Sequence, residues 1–309
     1  MRIVISEFMD EGAVAALRER FAVEYDPQLV DRPADLHEQL RTAAALIVRN
    51  RTQVNLGLLD AAPQLRVVGR LGVGLDNLDV EACRARGIEV IPATGANAQA
   101  VAEYVIATAL LLLRGAYHSS GEVAAGRWPR AALGEGRETA GKTLGIVGFG
   151  GIGRLTARLA RALGMQVVAF DPMIAADSDA WREADVVCRT LDELTDAADA
   201  VTLHVPLVAA TRGLFDARRL ERMRPGAVLI NTSRGGIVDE RALAAALRSG
   251  RLGGAALDVF ADEPLPAGSP LADVPRLILT PHIAGVTVES NRRVSSLIAE
   301  RVAAYLSSG

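Results

Sequence analysis

The sequence predicts an α/β fold built from two doubly wound parallel-sheet domains. Short apolar runs alternate with segments of helical periodicity, which is the pattern of βαβ units. The alternation starts afresh after one long apolar helix. Half of the residues are hydrophobic but only 4% are aromatic, and such a palette suits helices packed tightly on a buried parallel sheet.

The first series reads as a strand at residues 2–6, a helix at 11–21, a strand at 22–25 and a helix at 33–42. A buried strand at 45–48, a helix at 54–61 and strands at 65–69 and 88–91 continue it. The long helix covers 98–114, and the segment 121–141, rich in Gly, Arg and small residues, reads as a connecting excursion. The second series has strands at 143–147, 166–170, 200–203, 228–231, 255–257 and 277–279, with a helix from the first glycine turn through Leu163. A last helix at 290–306 follows and is expected to pack back on the first domain.

A net charge of −3 without blocks of like charge argues against a nucleic-acid surface or a polybasic membrane face. Cys83 and Cys188 have no CxxC or Cys/His spacing, and His37 and His118 have no metal-ligand spacing, so no metal site is expected. The early acidic residue Glu7 argues against a signal peptide. The most apolar stretch, 104–113, is shorter than the ~20 residues of a membrane span, and Tyr104 within it reads as core. A cytoplasmic protein is expected.

Gly148-Phe149-Gly150-Gly151-Ile152-Gly153 sits where a strand ends and a helix starts. Gly148 permits the tight turn, Gly150 lets backbone N–H groups approach a pyrophosphate, and Gly153 allows close helix–strand packing. The helix N-terminus adds unpaired donors and a partial positive charge. The next strand delivers Asp171 close to the ~20-residue spacing at which an acidic residue accepts the adenosine ribose hydroxyls. That carboxylate repels a 2′-phosphate, so NAD is expected as cofactor.

Three polar residues follow later strands. Arg234 lies in Asn231-Thr232-Ser233-Arg234-Gly235-Gly236, Glu263 in Asp258-Val259-Phe260-Ala261-Asp262-Glu263-Pro264, and His282 in Thr280-Pro281-His282-Ile283-Ala284-Gly285. Ligands of open α/β sheets bind beyond the carboxyl ends of strands, so the three converge where nicotinamide sits. Arg holds carboxylate and carbonyl oxygens with its fixed fork. His exchanges a proton near neutral pH. A Glu beside the imidazole orients it and favours its protonated form, so reduction of a 2-oxo acid is expected to weaken as the pH rises.

These ordered segments, with Ile237-Val238-Asp239 extending the second, resemble the signature segments of the D-isomer-specific 2-hydroxyacid dehydrogenases over nearly the whole chain. The resemblance implies His282 as acid/base, Glu263 as its partner and Arg234 as the substrate-carboxylate anchor. It implies cofactor contacts from Gly151 and Ile152 on the phosphates, Asp171 on the ribose, and Val205, Thr232, Ser233, Asp258, His282 and Gly285 around the rest. A split architecture is implied too: a Rossmann NAD-binding domain at 98–285, and a flavodoxin-like substrate domain joining 1–97 to 286–309. Relatives of this kind form homodimers, and a homodimer is expected.

In the first domain, Arg70-Leu71-Gly72-Val73-Gly74 resembles the family's carboxylate-binding loop, with the N–H groups of Val73 and Gly74 as an anion nest. Arg49 and Arg70 match positions that bind a second anionic group in 3-phosphoglycerate members, and Arg51 adds a charge. The Arg49-Asn50-Arg51 and Gly69–Gly74 pieces are similar to 3-sulfolactate dehydrogenases. The expected substrate is therefore a small anionic 2-hydroxy or 2-oxo acid with a second anion, such as 3-sulfolactate or 3-phosphoglycerate. The alternatives are a glyoxylate/hydroxypyruvate reductase acting on a monoanion, and a non-catalytic NAD(H)-sensing corepressor. Formate dehydrogenases place Gln where this chain has Glu263. His204 and the excursion residues Trp128 and Arg130 read as packing or contact residues.

Overall fold

The computed structural model describes residues 1–308; the side chain of His118 is outside the described residues. The chain divides into two units, one formed by Met1–Asn97 with the chain from Val286 onward, the other by Ala98–Gly285.

In the first unit, β1 (Arg2–Ile5), β2 (Ala22–Tyr25), β3 (Ala45–Val48), β4 (Val67–Arg70) and β5 (Glu89–Pro92) form one sheet in the order β2-β1-β3-β4-β5. Every pairing is parallel, and the order is that of flavodoxin-like sheets. Successive strand residues point to opposite faces. Ile3 and Ile5 thus join one core, with Ile47 and Val67, while Val4 joins the other, with Leu46, Val48 and Val68. Helix Val288–Ser307 supplies Val294, Ile298, Val302 and Leu306 to the first of these cores. A Cβ on Gly69 would come 2.7 Å from Ile298 and 2.9 Å from Val302, so a glycine in β4 is what lets this helix seat.

In the second unit, β6 (Thr143–Val147), β7 (Gln166–Phe170), β8 (Val187–Cys188), β9 (Ala200–Leu203), β10 (Val228–Asn231), β11 (Gly254–Leu257) and β12 (Leu277–Leu279) form a sheet in the order β12-β11-β10-β9-β6-β7-β8. All pairs are parallel. Counted from β6, this is the Rossmann order with one further strand beyond the sixth. Both faces are covered. Leu203, Leu229 and Phe215 fill one core, while Ile146, Ile230 and Phe149 fill the other with Val105, Ala109 and Leu112 of helix Ala98–Arg114.

Several boundaries differ from the expectation. The helix expected at 54–61 is Leu56–Asp60, because the Asn55 side chain accepts the Leu58 N–H and caps it, while Val54 bridges to Leu78. The strand expected at 65–69 is Val67–Arg70, set by its register on β3. The excursion contains short helices at Ser120–Ala124 and Arg130–Leu133. Helices Val80–Ala85, Ala217–Arg222 and Glu240–Arg248, which the apolar pattern did not single out, each start at a capping Asp: Asp79, Asp216 and Asp239. Among the described residues no helix is long and apolar enough to cross a membrane, and no group of His, Cys, Asp and Glu can hold a metal.

Ile298 is fully buried. Ile298→Ala is expected to destabilise the first unit by about 2–5 kcal/mol, read as a shift of its urea transition.

Candidate active site

Every strand of the second sheet runs the same way, so the segments that follow β6, β7, β9, β10, β11 and β12 emerge at one edge. The glycine loop leaves β6. Gly148 has φ +96°, and a Cβ there would sit 2.5 Å from the carbonyl oxygen of His204 and 2.9 Å from Val205. A Cβ on Gly153 would overlap the carbonyl of Gly148. Nothing lies within 4 Å of where a Cβ on Gly150 or Gly151 would be. Two of the glycines are therefore required by packing, and the other two leave the backbone open to a ligand. Helix Gly151–Ala162 starts there without a side-chain cap, so its first N–H groups remain available.

Asp171 follows β7. Its Oδ2 accepts the Phe149 N–H at 2.8 Å and its Oδ1 accepts the Met173 N–H at 2.9 Å. A carboxylate has about four acceptor positions, so this one ties the glycine loop to β7 and keeps capacity for hydroxyl groups. After β10, Ser233 donates its hydroxyl to the Leu203 carbonyl at 2.5 Å. Thr232 Oγ1 is buried with no partner among the described residues, an orphan that a bound polar group would satisfy. The open glycines, the placed carboxylate and the orphan hydroxyl fit a dinucleotide.

Arg234 stands in a turn closed by Asn231, whose Nδ2 donates to the Arg234 carbonyl at 2.9 Å and whose Oδ1 accepts the Ser233 N–H at 3.0 Å. Its Nη1 donates to the Ser233 carbonyl at 2.6 Å. A Cβ on the neighbouring Gly235 would overlap the Phe260 carbonyl, so this turn packs directly on the segment leading to Glu263. Glu263 Oε1 accepts the Phe260 N–H at 3.0 Å, which leaves Oε2 to meet His282 Nδ1 at 2.8 Å. Both side chains remain partly open to solvent. The pair is therefore held from one side, and the Nε2 edge of the ring is left for a proton exchange.

His282 has φ +55°, the left-handed region that costs a non-glycine residue about 1–3 kcal/mol unless its surroundings fix it. Asp258 does so. Almost fully buried, it accepts the Ile283 and Ala284 N–H groups, each at 2.8 Å, and the Thr280 hydroxyl at 2.6 Å, while its carbonyl accepts the His282 N–H at 2.9 Å. Tyr104, read from sequence as core, instead hydrogen-bonds Thr280 through its hydroxyl at 2.7 Å, with burial as the main cause that raises its pKa. Its place in an apolar helix hid that role. At His204 burial pushes the pKa down to about 4, and Nε2 contacts Thr202 Oγ1 at 3.1 Å, so it is neutral.

The two loops expected from the sequence to meet anions lie in the first unit. Val73 and Gly74 donate no backbone hydrogen bond among the described residues. The Arg70 guanidinium folds over Gly72, donating from Nη1 to the Leu71 carbonyl at 3.0 Å, where any Cβ on Gly72 would collide with it. Arg51 pairs with Asp31 at the surface. Arg49 is different: its Nη2 donates to Asn291 Oδ1 at 3.0 Å and its guanidinium lies over the Phe8 ring at 5.9 Å. Sequence reasoning missed Glu7, a buried carboxylate that accepts four consecutive N–H groups of this loop. Its signal was an acid ending the first apolar run.

A family model for the D-isomer specific 2-hydroxyacid dehydrogenase NAD binding domain matches residues 106–284. The (S)-sulfolactate dehydrogenase of Chromohalobacter salexigens is 57% identical over 300 residues, which are 97% of this chain and 96% of that protein. The D-3-phosphoglycerate dehydrogenase of Mycobacterium leprae is 38% identical over 302 residues; the match takes in 97% of this chain and 56% of that protein, so the chain spans about half its length. The crystal structure of the TT0316 protein of Thermus thermophilus superposes with a TM-score of 0.90 at 35% identity, covering 100% of this chain and 97% of that one.

Gly148→Ala is expected to weaken NADH binding roughly 10- to 100-fold through left-handed strain, as read by fluorescence titration. His204 takes up a proton at 6.5 when unfolded but near 4 when folded, so the stability it contributes is full above 6.5 and lost as the pH falls toward about 4. Urea unfolding of His204→Asn at pH 7 and pH 5 should show a smaller acid loss than the parent.

Proposed function

The chain belongs to the D-isomer specific 2-hydroxyacid dehydrogenases, and from that premise we propose that it interconverts a dianionic 2-hydroxy acid of the 3-sulfolactate type with its 2-oxo acid. NAD, when bound, accepts the hydride from C2 or returns it. His282 Nε2 takes the proton of the C2 hydroxyl in oxidation and gives it back in reduction, while Glu263 on Nδ1 fixes the ring and balances the charge it gains. Arg234 anchors the C1 carboxylate with its planar fork. The N–H groups of Val73 and Gly74 are assigned as an anion nest of the first unit.

The observation that carries the dianion reading is Arg49, a partly buried guanidinium whose contacts among the described residues are an amide and a ring face rather than a carboxylate. Arg70 is assigned alongside it, whereas the pairing of Arg51 with Asp31 assigns that residue to the surface. Similarity to a protein called (S)-sulfolactate dehydrogenase supports the same class. The label S is compatible with a D-specific family. Sulfur outranks oxygen in the priority rules, so adding a sulfonate to C3 of D-lactate changes R to S without moving any bond at C2. The exposed side chains Tyr117, Val123 and Trp128 support a homodimer formed through the excursion. The free Cys83 and Cys188 support a cytoplasmic location.

Steady-state kinetics with lactate, glycerate, malate, 3-phosphoglycerate and 3-sulfolactate test the proposal. The dianions should be favoured, and equal efficiency on monoanions refutes it. His282→Ala should lower kcat about 10²- to 10⁴-fold while NADH still binds; a variant that binds NADH and a parent that turns over no acid would point to a sensor instead. Sedimentation of the parent as a monomer at micromolar concentration would refute the dimer.

A further inference from the structure

We propose that Glu7 and Asn291 are positioning residues that set the preference for a second anionic group, Glu7 by fixing the backbone that carries Arg49 and Asn291 by aiming its guanidinium. The proposal rests on the dianion reading above. Glu7 lies two residues beyond β1 and is 4% exposed. Its Oε1 accepts the N–H groups of Arg49 at 2.8 Å and Thr52 at 3.0 Å, and its Oε2 those of Asn50 at 3.3 Å and Arg51 at 3.1 Å. Burying a carboxylate is costly unless it is hydrogen-bonded, and here the whole loop is wrapped around it. Asn77 closes the other side, donating from Nδ2 to the carbonyls of Arg49 at 3.3 Å and Thr52 at 2.7 Å. Ser6 and Thr52 add a buried hydroxyl contact at 2.9 Å. The loop has little freedom left.

The guanidinium that this loop presents is held by uncharged contacts and makes no ion pair among the described residues. Asn291 Oδ1 is an uncharged acceptor, and the Phe8 ring supplies a face rather than a counter-ion. Burial lowers the pKa of Arg49 from its ordinary value, with the Glu7 charge opposing that shift. Arg51, two residues on, shows the contrasting state, since hydrogen bonding to Asp31 raises its pKa. A cation oriented by a neutral amide keeps its field for an arriving sulfonate, phosphate or carboxylate. A carboxylate at position 291 would cancel it.

In Glu7→Gln the amide NH₂ faces N–H donors, so about half of the four contacts turn unfavourable. The test compares the parent, Glu7→Gln, Asn291→Ala and Arg49→Met in the oxidation of 3-sulfolactate and of lactate, with NADH affinity measured alongside. Loss of hydrogen bonds to a charged group predicts a KM for 3-sulfolactate raised roughly 10- to 100-fold in Glu7→Gln, and less in Asn291→Ala. Their kcat, their KM for lactate and their NADH affinity should stay within about twofold of the parent, and Glu7→Asp should recover part of the loss. An equal loss on both substrates, or an unchanged KM for 3-sulfolactate, overturns the proposal. If Glu7→Gln fails to fold, Asn291→Ala decides alone by the same criterion. A parent without preference for 3-sulfolactate, or an Arg49→Met variant that keeps it, overturns the dianion reading and this proposal with it. A preference lost in Arg49→Met but kept in both positioning variants overturns this proposal only.

Discussion

Parallel strands impose one constraint on which the rest of this molecule depends: all their carboxyl ends arrive at a single edge. In the second sheet that edge collects Gly148, Asp171, Thr232, Arg234, Asp258 and His282 from separate parts of the chain. No local sequence motif has to build the site. Each loop contributes one or two groups, and the register of β10 on β11 and of β11 on β12 places them beside one another. The imidazole–carboxylate contact at 2.8 Å is the clearest product, since its partners are 19 residues apart in the chain.

The same device recurs at three strand ends. Glu7 after β1, Asp171 after β7 and Asp258 after β11 each turn a carboxylate onto backbone N–H groups of a loop at a strand end. Ionised acceptors make stronger hydrogen bonds than neutral ones and, when shielded from water, hold their donors in a narrow geometry. These acids do not all need to touch a ligand to matter. Asp258 shows this for the left-handed His282, whose loop would otherwise lack a reason to adopt that backbone.

Much of this was legible in the residues. The apolar runs located most strands, because a strand buried on both faces has nowhere to put a polar side chain. The glycine motif and the three polar residues pointed to the candidate site, because turn geometry and proton chemistry restrict the residue types allowed. What escaped was tertiary in origin. The shift of the fourth strand to Val67–Arg70 follows from its pairing with β3. The short helices beginning at Asp79, Asp216 and Asp239 are defined by their caps more than by their apolar faces. Tyr104 was hidden by its neighbours, and its hydroxyl finds Thr280, 176 residues away. Glu7 gave a signal that needed a partner loop to be understood, and Asn291 gave none.

The helix Val288–Ser307 completes a sheet whose strands precede it by some two hundred residues, bringing Val294, Ile298, Val302 and Leu306 to Ile3 and Ile5. The segment between, Ala98–Gly285, is contiguous and has both of its own cores. During synthesis, therefore, the strands before Ala98 must wait for apolar partners that are made only after Ala98–Gly285, while the dinucleotide unit can mature in the interval. Those strands are thus the ones in need of protection from premature association, and the arrival of Val288–Ser307 is what ends that exposure.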